Sequence, residues 1–228
     1  MAGSSSLRGI ETWLASPQAA ERLDPSRLVG RDREEWQTLQ TNRRRRDWAS
    51  SRALLGAAAV ASDQNSSLSH SHGYAALGLT SRAVAVGVDV EWLAAREFHG
   101  MASVAYCPAE CALLASLDDP QVLCATFYEL WTLKEAFAKA LSLPLVDALQ
   151  QCRFVDAGLG RGADVPTTRH WRAMVFAPRP QLRLAVALIA DVPEQLDTPI
   201  ATFEWPLPRR CDWTVIRSLT GGGNHRTC

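Results

Sequence analysis

Three carboxylates and one lysine are spaced so that they could act on a common substrate. Gly87-Val-Asp-Val-Glu91 ends an apolar run with Asp89 and Glu91 two residues apart, and Trp131-Thr-Leu-Lys-Glu-Ala-Phe-Ala-Lys139 carries Glu135 and Lys139 four apart. Residues i and i+2 on a strand point to the same side, and residues i and i+4 on a helix share a face. An acidic strand meeting an acidic helix would offer two or three oxygen ligands and leave other positions to water and phosphate oxygens, the coordination magnesium prefers. The same residues also have plainer readings. Glu135 and Lys139 fit a surface ion pair worth about 0.3–0.5 kcal/mol, and Asp89 and Glu91 fit a strand that ends in solvent.

The elements that must carry these groups follow from periodicity. Val84, Val86, Val88 and Val90 alternate with Ala85, Gly87, Asp89 and Glu91, so a strand over 83–90 turns its valines one way and its carboxylates the other. Tyr74–Leu79 reads as a second strand, joined to the first as a hairpin through Thr80-Ser81-Arg82. Leu130, Leu133, Phe137 and Ala140 mark the buried stripe of a helix over 124–140, with Pro144 just beyond it. Helices are also predicted over 32–41, with Asp32 as N-cap, over 44–61, and over 108–117 with Glu110 in the first turn. Residues 62–67 read as a loop, 168–176 and 181–190 as a strand pair, and the tail from Gly221 as aperiodic. The similarity of Tyr74–Leu79 to Leu184–Ile189 hints at two similar halves.

Composition limits the partners. With 47% apolar and 21% charged residues, 228 residues are enough for a real core. Lys plus Arg and Asp plus Glu both number 24, so no general field draws the chain to nucleic acid or to an anionic membrane. The run Arg43–Arg46 lies in a neutral protein without stacking motifs and reads either as a docking patch for acidic partners or as a solvated helix face. The longest apolar run, Ala53–Ala61, is about half a membrane span, and the N-terminus lacks a signal-peptide pattern, so a cytoplasmic location is expected. Six cysteines form no CxxC pair. Cys107 and Cys111 with His99 form the one arrangement that suggests zinc, and no zinc is expected there.

Three blocks in order, Ser69-His-Ser71, Gly87-Val-Asp-Val-Glu91 and Trp131 to Lys139, resemble the Ser-His-Ser, Gly-(Ile/Val)-Asp-(Ile/Val)-Glu and Trp-x-x-Lys-Glu-x-x-x-Lys blocks of the larger, single-chain class of 4'-phosphopantetheinyl transferases. The resemblance spans about residues 52–145. It implies an α+β fold of two similar halves in a pseudo-twofold arrangement, each a small antiparallel sheet on a long helix. These would be residues 1–107 and 108–220, followed by a flexible tail over 221–228. It further implies transfer of phosphopantetheine from coenzyme A to a serine of an acyl or peptidyl carrier protein, by a monomer using Mg2+, which Mn2+ can replace. Asp89, Glu91 and Glu135 would hold the metal. Glu135 would take the serine proton, and Lys139 would face the pyrophosphate. Ser69, His70 and Arg52 would bind coenzyme A, His70 and Arg52 at its 3'-phosphate. A module that binds coenzyme A or a carrier without catalysis is the alternative. The chain departs from the family in two places. Lys139 runs through Ala-Leu-Ser-Leu to Pro144 without a Gly-x-Gly-Leu loop, and Ser67 stands where family members often carry asparagine, a change expected to tune a turn.

Overall fold

The computed structural model describes residues 9–154, 163–206 and 209–222. In chain order the elements are β1 (Ile10–Ala15), α1 (Gly30–Thr38), α2 (Asn42–Ala58), β2 (Gln64–Ser71), β3 (Tyr74–Ser81), β4 (Val84–Trp92), α3 (Phe98–Ala105), α4 (Pro108–Ala115), α5 (Pro120–Leu141), α6 (Leu145–Gln151), β5 (His170–Ala177), β6 (Leu182–Ala190), β7 (Ile200–Trp205), β8 (Arg209–Arg210) and β9 (Thr214–Gly221). The fold is α+β. One sheet has the order β2-β3-β1-β7-β8 and the other β4-β6-β5-β9. The second is antiparallel, but the first is mixed, because β1 and β7 run parallel, which departs from the expected pair of antiparallel sheets.

The two sheets face each other across an apolar layer. Val84, Val86, Val88 and Val90 of β4, with Leu184, Val186 and Leu188 of β6, pack there against Ile10, Leu14 and Ala76 of the first sheet. The outer faces are covered by helices. Leu54 of α2 packs on Ala75, Leu77 and Leu79, while Leu130, Leu133 and Phe137 of α5 pack on Ala185, Ala187 and Ile189. The central strand β6 is buried on both faces, which explains its nearly continuous apolar sequence.

Strands β3 and β4 are present where the alternation predicts them, but they do not form a hairpin. Both edges of β3 are taken, by β1 and β2, so β4 leaves the first sheet and pairs with β6 in register Asp89↔Ala185 and Glu91↔Arg183. The corner is held by side chains. Asn65 Nδ2 donates to the carbonyls of Ser81, Arg82 and Val84, the last at 2.9 Å, and Thr80 Oγ1 donates to Val84 O at 2.7 Å. The second predicted pair, β5 and β6, is a true hairpin. Residues 62–67 are not all loop, because β2 begins at Gln64. Helix α5 starts four residues before the predicted Cys124, where Asp119 caps Gln121 N and Val122 N and Pro120 takes the first turn. Gly221 belongs to β9, and residues 223–228 of the expected tail lie outside the described residues.

Two contacts fix α5 in place. Gly87 has no room for a side chain, since a Cβ there would lie 1.9 Å from Ala136 O and 2.6 Å from Ala140 N, so the helix backbone rests directly on β4. On the opposite side of the helix, Lys134 is fully buried and donates to Glu110 Oε2 at 2.9 Å, to Leu149 O at 2.8 Å and to Cys152 O. Glu110 accepts in addition from Phe154 N at 2.8 Å and Cys107 N at 3.1 Å. Each proton of the ammonium has an acceptor, as a buried charge requires. The chain leaves α5 through Ser142 at φ 54°, with Leu143 N donating to Ala138 O at 2.9 Å, so a serine closes the helix where a glycine is usual.

Replacing Gly87 with Ala is expected to cost about 1–3 kcal/mol or more by forcing helix and strand apart, read as a lower urea midpoint. Lys134→Met strands the Glu110 carboxylate and is expected to cost about 3–5 kcal/mol, with much of the loss recovered when Glu110 is also made apolar. A neutral result for either single change would show that α5 is held by other means.

Candidate metal centre

Strand β4 and helix α5 bring the three carboxylates together. Asp89, Glu91 and Glu135 each offer an oxygen within 4.8 Å of the others. The period of two on β4 turns Asp89 and Glu91 away from the valine layer and toward α5, so these acids end in a cleft beside the helix and not in open solvent. Asp89 is 2% exposed, and Glu91 and Glu135 are half-buried. Lys139, one turn beyond Glu135, donates to Asp89 Oδ1 at 2.9 Å and to Val88 O at 2.9 Å. Lysine and glutamate therefore both face β4, rather than forming a surface pair with each other.

The Ser-His-Ser block proves to support the acids. Ser67, Ser69 and Ser71 lie along the side of β2 that faces β4, the outermost strand of the other sheet. Ser69 Oγ donates to Asp89 Oδ1 at 2.7 Å and Ser71 Oγ to Glu91 Oε2 at 2.7 Å. In return Val88 N donates to Ser67 Oγ at 3.0 Å and Trp92 N to Ser71 Oγ at 3.3 Å. Ser67 thus sits within a strand, where it satisfies a backbone amide, and it tunes no turn. Sequence spacing missed these roles, although the i, i+2, i+4 row of hydroxyls was present as a signal.

The electrostatics are unbalanced. When ionised, three carboxylates against the one ammonium bonded to them leave two negative charges in a partly buried cleft. Burial, with the neighbouring Asp89 charge, pushes the Glu135 carboxyl up to about 7 against the pull of Lys139. Burial also raises Glu91, opposed by the Ser71 hydrogen bond. Asp89 Oδ2 is buried without a hydrogen-bond partner. A divalent cation fits this donor set, because it would take up the orphaned oxygen and cancel the excess charge.

Other candidate residues lie elsewhere. His70 is exposed on the opposite side of β2, the side of Leu68, which packs toward α2. Arg52 of α2 is engaged with α1, its Nη2 2.7 Å from Glu35 Oε2 and its Nε 3.1 Å from Asp32 Oδ1, with the guanidinium over the Trp48 ring. Neither joins the carboxylates. Along the basic run, Arg43 lies 3.9 Å from Asp47 Oδ2, Arg45 donates to Leu39 O over Trp36, and all four arginines are exposed. Cys111 Sγ donates to Ala102 O at 3.4 Å, and His99, Cys107 and Cys111 form no metal-holding group among the described residues. A cavity of about 310 Å³ lies beside Leu14, Tyr74, Arg179 and Trp205, and none of the carboxylates lines it.

A carboxyl whose pKa is raised on folding binds its proton more tightly in the folded state, so metal-free stability is expected to fall as pH rises from about 4.5 to about 7. Thermal melts between pH 5 and 8 should therefore slope downward for the wild type and less so for Glu135→Gln. Added Mg2+ should stabilise most at the alkaline end, where the ligands are ionised. A slope unchanged in Glu135→Gln would remove Glu135 as its source.

No curated protein sequence matches the chain. A family model described as the 4'-phosphopantetheinyl transferase superfamily matches residues 85–187, the stretch that begins with β4 and runs through α5 to β6. Asp89, Glu91, Glu135 and Lys139 all lie inside this stretch, which is similar to the 4'-phosphopantetheinyl transferase superfamily.

Proposed function

We propose that this protein transfers 4'-phosphopantetheine from coenzyme A to a serine hydroxyl of an apo acyl or peptidyl carrier protein and releases 3',5'-ADP. The observation that carries the reading is the convergence of Asp89, Glu91 and Glu135 within 4.8 Å beside Lys139, inside the stretch matched by the superfamily. In outline, the superfamily supports a transferase that uses coenzyme A and a metal. The carrier substrate, the choice of Mg2+ with Mn2+ as substitute, and action as a cytoplasmic monomer belong to the proposal.

Phosphoryl transfer asks a protein mainly for positioning and for charge neutralisation. Asp89, Glu91 and Glu135 would hold the cation, which when bound neutralises the pyrophosphate oxygens. Lys139 would trade its bond to Asp89 for the phosphate and stabilise charge on the departing 3',5'-ADP. Glu135 would also accept the proton of the attacking serine. Ser69 and Ser71 keep two of the ligands in place through their hydroxyl bonds. For the 3'-phosphate we assign exposed His70 and Arg52, the latter after exchange of its contacts with Asp32 and Glu35. The exposed Arg43–Arg46 face would meet the acidic surface of a carrier.

Incubation of a purified apo carrier protein with the enzyme, coenzyme A and Mg2+ should add one phosphopantetheine, read by intact mass, and chelation should abolish the gain. Asp89→Ala and Glu135→Ala should each lower the rate by at least about 100-fold, the scale of losing a group that stabilises the transition state. Activity that survives both substitutions and chelation would overturn the metal assignment. Coenzyme A binding without transfer to several unrelated carriers would favour the non-catalytic module.

A further inference from the structure

Ser71 is linked to the residue after it in a way that reaches Glu91. Its hydroxyl has three neighbours at hydrogen-bonding distance: Glu91 Oε2 at 2.7 Å, His72 Nδ1 at 3.1 Å and Trp92 N at 3.3 Å. A hydroxyl has one proton and two lone pairs. The proton goes to Glu91, and the Trp92 amide can only donate, so the remaining lone pair must accept from a protonated His72 Nδ1. With all three positions filled, the hydroxyl cannot turn away from Glu91.

His72 occupies a left-handed backbone position. It has φ 52° and is followed by Gly73 at φ 84°, as a two-residue turn between antiparallel strands requires. Gly73 is held in this turn, since its amide donates to Asp47 Oδ1 and its Cα faces the Arg46 stem, with 2.9 Å to Cδ from where a Cβ would be. Asparagine, aspartate and histidine are the non-glycine residues that enter this region most readily, so the backbone position admits the imidazole without singling it out. The ring is partly buried, with Trp92 at 6.2 Å between centroids, and burial together with the Arg43 charge holds it below the usual histidine range, in keeping with a neutral ring carrying its one proton on Nδ1.

We propose that His72 is a positioning residue of the metal centre, its Nδ1–H locking the Ser71 hydroxyl onto Glu91 and so holding Glu91 in the orientation of a ligand. The inference rests on the reading of Asp89, Glu91 and Glu135 as metal-binding carboxylates. It predicts opposite effects on fold and site. His72→Gly relieves the left-handed backbone but frees the hydroxyl, whereas His72→Asn tolerates the backbone and keeps an N–H of similar reach.

The test is equilibrium titration of Mn2+ into the metal-free protein, with unbound Mn2+ read by its paramagnetic resonance signal, alongside thermal melts of the same samples. Ser71→Ala should weaken Mn2+ binding by about 10–100-fold, the usual scale for losing a bond to a ligand. His72→Gly should weaken it several-fold, with a melting temperature unchanged or a few degrees higher, while His72→Asn should bind nearly as the wild type does. In a Ser71→Ala background His72→Gly should add no further loss. Equal Mn2+ affinity in wild type and His72→Gly would overturn the proposal, as would equal losses in the Gly and Asn variants accompanied by lower melting temperatures. Asp89→Ala serves as the control. If it leaves Mn2+ binding and transfer intact, the reading of the metal centre fails, and if it abolishes them while His72→Gly changes nothing, only the role of His72 fails.

Discussion

The structure depends first on how closely α5 approaches β4. A helix normally stands off a sheet by the length of its side chains, but at Gly87 the backbone at Ala136 and Ala140 takes the place of a side chain. Glu135 and Lys139 flank that contact on the helix, and Asp89 and Glu91 follow it on the strand. The close approach therefore turns two separately spaced pairs into one cluster. The buried Lys134–Glu110 pair works from the other side, tying the helix to α4 and to the end of α6. Neighbouring residues of one helix thus do different work, Lys134 directed into the core and Glu135 toward the cleft.

Collecting carboxylates in this way raises their energy, and the surroundings only partly compensate. Burial and mutual repulsion raise Glu135 and Glu91, while the Ser71 hydrogen bond to Glu91 and the Lys139 charge oppose the rise. The serines come from the other sheet, so the two sheets are joined beside the centre by side-chain hydroxyls rather than by a backbone ladder. The order of charge, hydroxyl and imidazole from Glu91 outward is the arrangement in which outer groups orient inner ligands.

Much of the centre was legible in the sequence, because its supports are strongly periodic. The valines of β4 and the Leu130, Leu133, Phe137 stripe of α5 are unambiguous, and the carboxylates follow from them by direction alone. What could not be read was pairing. β3 and β4 adjoin in sequence and look like a hairpin, yet the two edges of β3 were already committed to strands whose own signals are faint. β2 is a run of serines, asparagine and histidine with hardly any apolar alternation, and β1 is only six residues long. The start of α5 was missed although Asp119-Pro120 is a strong capping signal, because the apolar stripe begins later. Hydroxyl geometry at Ser71 and a positive φ at His72 leave no trace in composition.

The exchange of strands between sheets also sets an order of events as the chain is made. β4 leaves the ribosome with its carboxylates long before residues 182–190, the strand it pairs with, and β1 waits even longer for the parallel strand over residues 200–205. Until then the valine face of β4 has only the first sheet to cover it, and the acids have no finished cleft. Loop closure over such separations slows folding. The nascent chain therefore cannot complete the cleft around its carboxylates progressively along the chain, and the cleft closes late, when the strands over residues 182–205 have emerged and both sheets come together.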